Sequence, residues 1–336
     1  MRTLSLGTRW AVTIIAVALT AGPAAAQAPA PARLLVLLRN ASALAVVDPV
    51  SLKELGRVGV VRDPHEVTVS PDGRTAYVGS PSEGISVVDL PSLKELRRVD
   101  PGLRSAPHDV QFVGGKVYFT AEGWKSIGAY DPVGGKVEWM LGLGQNGSHM
   151  LVFSKDGNTL YVPNRGSNSV SVVENITAGP PKYQISAIPV QGKTPEGMDL
   201  TPDGTQLWVV TRGDGGLTII DLATRTVVQR MELKLVDANR LKFTPDGKRA
   251  LILDGGDGTI HVFDVASRKE IKVIKAAPGD SGDGGMLVMA DNSRAYFGLR
   301  DTHSVAVLDL ATLEVTRRID MGPNSGPGCI AWTQPQ

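Results

Sequence analysis

Three histidines and one carboxylate hold an equivalent position in successive stretches of the chain. His65 opens HEVTVSPDG, His108 opens HDVQFVGGK, His149 opens HMLVFSKDG and Glu196 opens EGMDLTPDG. The chain has five histidines, so three at one equivalent position is a concentration. Three imidazoles and a carboxylate suit a single divalent transition metal, Zn, Cu, Fe or Mn. Alternatively Glu196 serves as a general base beside them. Glu66 and Asp109, the next residues along, are expected to orient the imidazoles. The same reading makes the histidines strand caps or the lining of a wet channel, inherited by duplication and unused.

The stretch from Pro64 to Leu90 shows what must position these residues. An alternating run (His65 to Ser70) meets a Pro-Asp-Gly turn, a second run (Arg74 to Gly79) meets a Ser/Pro/Gly loop, and a third (Ile85 to Val88) ends at Asp89. Alternation over short runs between turn residues is the signature of half-buried strands. The first run recurs at His108, His149, Glu196, Asn239 and Gly284, in steps of 43, 41, 47, 43 and 45 residues. The third run ends in an acid at Asp48, Asp89, Asp131, Glu174, Asp221, Asp264 and Asp309, which makes seven units. Those acids are expected to bond their own turns. Residues from Arg33 supply a second, third and fourth run with no first. The missing run stands at Gly328 to Thr333, 44 residues after Gly284. The expected fold is therefore all-β. It is a seven-bladed β-propeller of four-stranded antiparallel blades, with the C-terminal strand completing the first blade.

The units resemble the YVTN-repeat family. Ser70-Pro71-Asp72-Gly73 with Ala76-Tyr77-Val78, Leu160-Tyr161-Val162-Pro163-Asn164 and Gly166-Ser167-Asn168-Ser169-Val170 carry the likeness, which runs over roughly residues 33–333. The resemblance implies an exported propeller. The fold also hosts lactonases, lyases and redox enzymes, so it does not by itself name an activity.

In a propeller the turns leading into the first strands and the loops after the second strands share one face. The ring read at the channel mouth is His65, His108, His149, Glu196, Asn239, Gly284 and Gly328. Its expected rim is Arg39, Trp124, Arg165, Arg212 and Arg300, where a guanidinium could receive a carboxylate or phosphate.

Residues 1–26 read as a secretory leader: Arg2 and Arg9, an apolar run from Trp10 to Ala21, and a small-residue cleavage pattern ending at Ala26. Residues 27–32 read as a Pro/Ala linker and residues 33–336 as the propeller. The expected location is the periplasm or the exterior, with no transmembrane segment in the mature chain. Without the leader, 33 basic residues face 34 acidic ones, which gives no electrostatic case for nucleic acid. Cys329 is the one cysteine, so no internal disulfide and no Cys-x-x-Cys-His attachment of c-type haem exist. No dinucleotide or nucleotide fingerprint appears, which argues against NAD or nucleotide cofactors. A monomer is expected, since closure removes free strand edges. Three functions stay open: a binding or scaffold propeller for a small molecule or protein, a metal-dependent oxidoreductase or hydrolase, and a metal-independent lactonase or lyase.

Overall fold

A computed structural model describes residues 31–276 and 284–333. The expected leader and most of the linker lie outside the described residues. Among the described residues, twenty-eight strands form seven four-stranded antiparallel sheets. Blade 1 contains Arg33–Leu38, Ala43–Val47 and Glu54–Gly59, and its innermost strand is the C-terminal Pro327–Thr333. Leu34 pairs Trp332, Leu35 pairs Ala331 and Val36 pairs Ile330, as the missing first run requires.

Burial follows position in the blade. In blade 6 the second strand, Arg249–Asp254, is buried along nearly its whole length, whereas the fourth, Lys269–Lys275, is mostly exposed. A middle strand is covered by a neighbouring blade on each face, so it reads as continuous apolar sequence rather than alternation. The apolar side chains fall into seven clusters, each shared by two adjacent blades. One joins Leu34, Val36 and Leu38 of blade 1 to Tyr296, Val305 and Val307 of blade 7 and so closes the ring.

The turns behave as the sequence predicts. Gly73, Gly157, Gly204 and Gly247 take positive φ of 68–72° in the hairpins between first and second strands. Of the acids that end the third strands, Asp48, Asp221, Asp264 and Asp309 accept hydrogen bonds from a Ser or Thr three residues on. Glu174 differs. The chain after it makes a short 3₁₀ turn, Ile176–Ala178, and Glu174 pairs with Arg225 of the next blade at 2.7 Å.

Hydrogen bonds to these turn carboxylates hold Asp48, Asp131, Asp221, Asp264 and Asp309 below the ordinary 3.8. The hairpin acids Asp156, Asp203, Asp246 and Asp291 are lowered in the same way. A depressed folded-state pKa contributes stability that is full above the unfolded value and is lost as pH falls through the folded one. The contribution of these carboxylates should be complete at pH 5 and lost below about pH 4, so the melting temperature should fall steeply between pH 5 and 3. A melting temperature unchanged between pH 5 and 3 would refute this distributed contribution.

Candidate functional site at the channel mouth

In five blades the turn leading into the first strand is built alike. The residue two before the ring position has positive φ at Asp63 (50°), Ala106 (52°), Gly147 (70°), Thr194 (54°) and Gly326 (60°). Two of these five, Ala106 and Thr194, are neither Gly nor Asn/Asp, although a left-handed conformation costs roughly 1–2 kcal/mol for such residues. The shared conformation swings the ring residue toward the axis. The first strands of blades 3, 5 and 6 then carry a one-residue register shift at or beside the ring position. A bulge lets two consecutive residues share one opposing partner and re-aims their side chains. The strands converge tightly: a Cβ on Gly197 would lie 2.7 Å from the Asn239 carbonyl oxygen, so only glycine fits there.

The four expected residues form a continuous arc, buried at every member but His65, which is half-buried. His65 Nδ1 lies 2.7 Å from His108 Nε2. The rings of His108 and His149 are 3.8 Å apart at their centroids. His149 Nε2 lies 3.4 Å from Glu196 Oε1. His108, His149 and Glu196 are 4, 2 and 1 % exposed. Asn239, next in the ring, is fully buried.

Arginines clamp both ends. Arg39 donates to Asp63 Oδ1 at 2.9 Å, and its Nη2 lies 2.7 Å from His65 Nε2. Arg212 donates to both carboxylate oxygens of Asp237 and, at 2.9 Å, to Glu196 Oε1. The two clamps are homologous: each arginine follows a second strand and reaches the aspartate two residues before the next blade's ring position. Sequence reasoning missed Asp63 and Asp237. The signal was there, since both fall at the same offset from the ring and each lies one blade after an arginine.

A guanidinium only donates. Both Arg39 Nη2, at 2.7 Å, and Asp63 Oδ2, at 3.1 Å, approach His65 Nε2; the shorter contact with the guanidinium assigns it an acceptor lone pair, places the His65 proton on Nδ1 and makes His108 Nε2 its acceptor. Neutral His108 then carries its own proton on Nδ1, a buried atom with no hydrogen-bond partner among the described residues. Burial and the neighbouring Arg39 hold His65 below its ordinary value. Burial and the adjacent imidazoles hold His108 well below. Burial pushes Glu196 up, but His149, Arg165 and Arg212 outweigh it, so Glu196 stays a carboxylate with a lowered pKa.

The remaining rim residues separate. Arg165 lies beside Glu196, Nε to Oε2 at 3.3 Å. Trp124 stands outside the arc, where its indole donates to the Leu103 carbonyl and its ring covers Gly102. Arg300 donates to Asn40 at 3.3 Å. Glu122, at the position that Arg39, Arg165 and Arg212 hold in other blades, comes within 3.8 Å of both His149 Nδ1 and Arg165 Nη1.

Below the arc, Glu66 and Asp109 do not orient the imidazoles as expected. Glu66 of blade 2 reaches across the axis and accepts from Arg240 of blade 6 at 2.7 Å, with both side chains nearly buried. Asp109 accepts from the Leu151 N–H at 2.6 Å. Burial, with Glu66 nearby, pushes it up to about 7. The ion pair floors the mouth. On its other side Glu66 and Arg240, with Gln111, Lys242, Leu287 and Trp332, line a cavity of about 350 Å³.

The donor set is chemically apt for a transition metal, but its arrangement is a hydrogen-bonded string. Ligand nitrogens around a tetrahedral ion at ~2.0–2.1 Å stand about 3.3 Å apart, whereas His65 and His108 meet at 2.7 Å. Among the described residues no group of three or more His, Cys, Asp or Glu is disposed to hold a metal. Binding one would require the His65–His108 contact to open.

Comparison with known proteins agrees on the architecture. Residues 142–239, which include His149, Arg165, Glu196 and Arg212, match a family model described as "Lactonase, 7-bladed beta-propeller". The chain is a seven-bladed β-propeller. Similar solved structures include hydrazine synthase of Kuenenia stuttgartiensis, at 18% identity and TM-score 0.70 over 88% of this chain and 99% of that one. A functionally unknown protein from Desulfotomaculum acetoxidans DSM 771 has 14% identity and TM-score 0.71 over 90% and 99%. The dihydro-heme d1 dehydrogenase NirN, in complex with DHE, has 19% identity and TM-score 0.64 over 87% and 64%. No curated protein matches. At such identities the likeness is one of fold.

Removing one partner of a buried ion pair strands the other charge. Arg240→Met should destabilise the fold by about 3–5 kcal/mol, and adding Glu66→Met should recover most of that. Urea denaturation of both variants checks this; a double variant as unstable as the single would show that the pair is not the cause.

Proposed function

We propose that this chain is an exported, monomeric binding propeller that captures a small ligand at the mouth of its central channel, on the arc His65–His108–His149–Glu196. The observation that carries the reading is incomplete satisfaction within a buried polar cluster. His108 Nδ1, His149 Nδ1 and Glu196 Oε2 are all buried without a hydrogen-bond partner among the described residues. Each such atom costs about 1–3 kcal/mol when left unsatisfied, and a ligand that bonds them recovers that cost. The arginine clamps hold the ends of the arc in place beforehand, which lowers the entropy lost on binding. At the level of fold, a protein that contains such a propeller, NirN, was solved in complex with DHE.

A divalent transition metal is a second reading, favoured by the neutrality of His65 and His108, since the neutral imidazole is the metal-binding form. An ester- or lactone-cleaving activity is a third, favoured by the family match over the segment that holds His149 beside an ionised Glu196. In that case Glu196 would act as general base, with no metal in the step.

The test is calorimetry and elemental analysis of the mature protein and its His108→Ala variant. A ligand should bind the wild type and lose about tenfold or more in affinity in the variant, through loss of one to two hydrogen bonds, at unchanged circular dichroism. Stoichiometric Zn, Cu, Fe or Mn that disappears in the variant would establish the metal reading. Hydrolysis of a lactone panel in the presence of chelator, abolished by Glu196→Gln, would establish the enzymatic one. Binding that persists unweakened in His108→Ala places the ligand elsewhere and overturns the proposal.

A further inference from the structure

Arg165 differs from the other rim arginines. Arg39, Arg212 and Arg300 each donate hydrogen bonds through their guanidinium groups. The Arg165 side chain makes none among the described residues. Its two nearest acids, Glu196 at 3.3 Å and Glu122 at 3.8 Å, stand near it without bonding geometry. Its base is fixed, because the Arg165 N–H donates to the Gly147 carbonyl at 2.9 Å. The guanidinium is about one-third exposed. It is therefore an anchored fork of donors with its hydrogen-bonding capacity unspent, on the mouth of the channel.

The unspent atoms share one sector. His108 Nδ1, a proton donor by the tautomer that Arg39 imposes, belongs to blade 3, and His149 to blade 4. Arg165 is also of blade 4, and Glu196 of blade 5. At the opposite end of the arc, Arg39 bonds both Asp63 and His65. The open sector holds the Glu196 carboxylate, but no acceptor in hydrogen-bonding geometry with either the Arg165 guanidinium or His108 Nδ1 among the described residues. Glu122 shows the beginnings of one, since its Oε1 lies 3.8 Å from both Arg165 Nη1 and His149 Nδ1. That is too long for hydrogen bonds. Its side chain is 27% exposed.

We propose that the mouth ligand is a small organic acid whose carboxylate docks on Arg165, in the sector between His108 and Glu196, with Glu122 as an intramolecular competitor for that place. The inference rests on the mouth-binding reading and adds the ligand class. A planar carboxylate matches a guanidinium fork with two parallel hydrogen bonds. A dianionic phosphate fits less well, because Glu122 and Glu196 both lie within 4 Å of the same guanidinium. Glu122 and a ligand carboxylate repel, so removing the Glu122 charge favours binding.

Calorimetric titration of the mature protein with acetate, lactate and succinate, against acetamide, lactamide and inorganic phosphate, tests this. At least one carboxylate should bind and its amide should not. Arg165→Gln should weaken binding about tenfold or more, as expected for a charge-assisted bond, with Arg165→Lys intermediate. Glu122→Gln should strengthen it several-fold, an effect that a merely structural role for Glu122 would not produce. Arg225→Gln, on the outer rim, should change nothing, and thermal melts check that each variant folds. Amides binding as well as acids, an affinity indifferent to Arg165→Gln, or phosphate binding in place of every carboxylate would each overturn the inference. A neutral ligand or metal ion that depends on His108 but not on Arg165 also overturns it, and leaves the mouth reading standing. If carboxylates, amides, phosphate and metal ions all fail to bind the wild type, both fall.

Discussion

No blade of this protein has a core of its own. The seven apolar clusters all lie between blades, so each sheet depends on two neighbours, and the last depends on the first. Ring closure is thus the condition for burying nearly every large apolar side chain. The C-terminal strand meets it by pairing with Arg33–Leu38 and leaving no free inner edge on blade 1. That dependence explains why the middle strands are almost uniformly apolar and why Trp208 and Phe263 are fully buried in the cluster between blades 5 and 6.

Closure also crowds the axis. Seven first strands arrive at one narrow passage, and whatever they carry there must be satisfied by one another. Glycine resolves the crowding sterically at Gly197 and Gly285, where a Cβ would strike the neighbouring strand's backbone. Charge is resolved by pairing across blades, in Glu66 with Arg240 and in the two arginine–aspartate clamps. The arc of histidines is where this mutual satisfaction stops short, and the functional reading rests on that remainder.

Much of this was legible in the sequence. A period of 41–47 residues, a recurrent acid after each third strand and a first run displaced to the C-terminus fixed blade number and closure. Reading the first letter of each repeat brought His65, His108, His149 and Glu196 together, as the structure does. The second letter misled. Glu66 and Asp109 follow histidines directly and looked like their supports, but the local backbone sends them below the arc, where Glu66 meets an arginine 174 residues away. Partnership across the axis leaves no trace in local spacing. Asp63 and Asp237 were missed because they precede the strand, in a turn whose path toward the neighbouring blade's arginine only coordinates reveal. Trp124 looked like a rim residue and is one, but its indole is spent on the Leu103 carbonyl, away from the arc.

The bridge between Glu66 and Arg240 has a consequence for traffic. Propellers invite the picture of a tunnel with two doors, but here opposite walls join hands midway. The histidine end and the chamber lined by Gln111, Lys242, Leu287 and Trp332 are thereby two recesses on one axis, with a charged bridge standing between them.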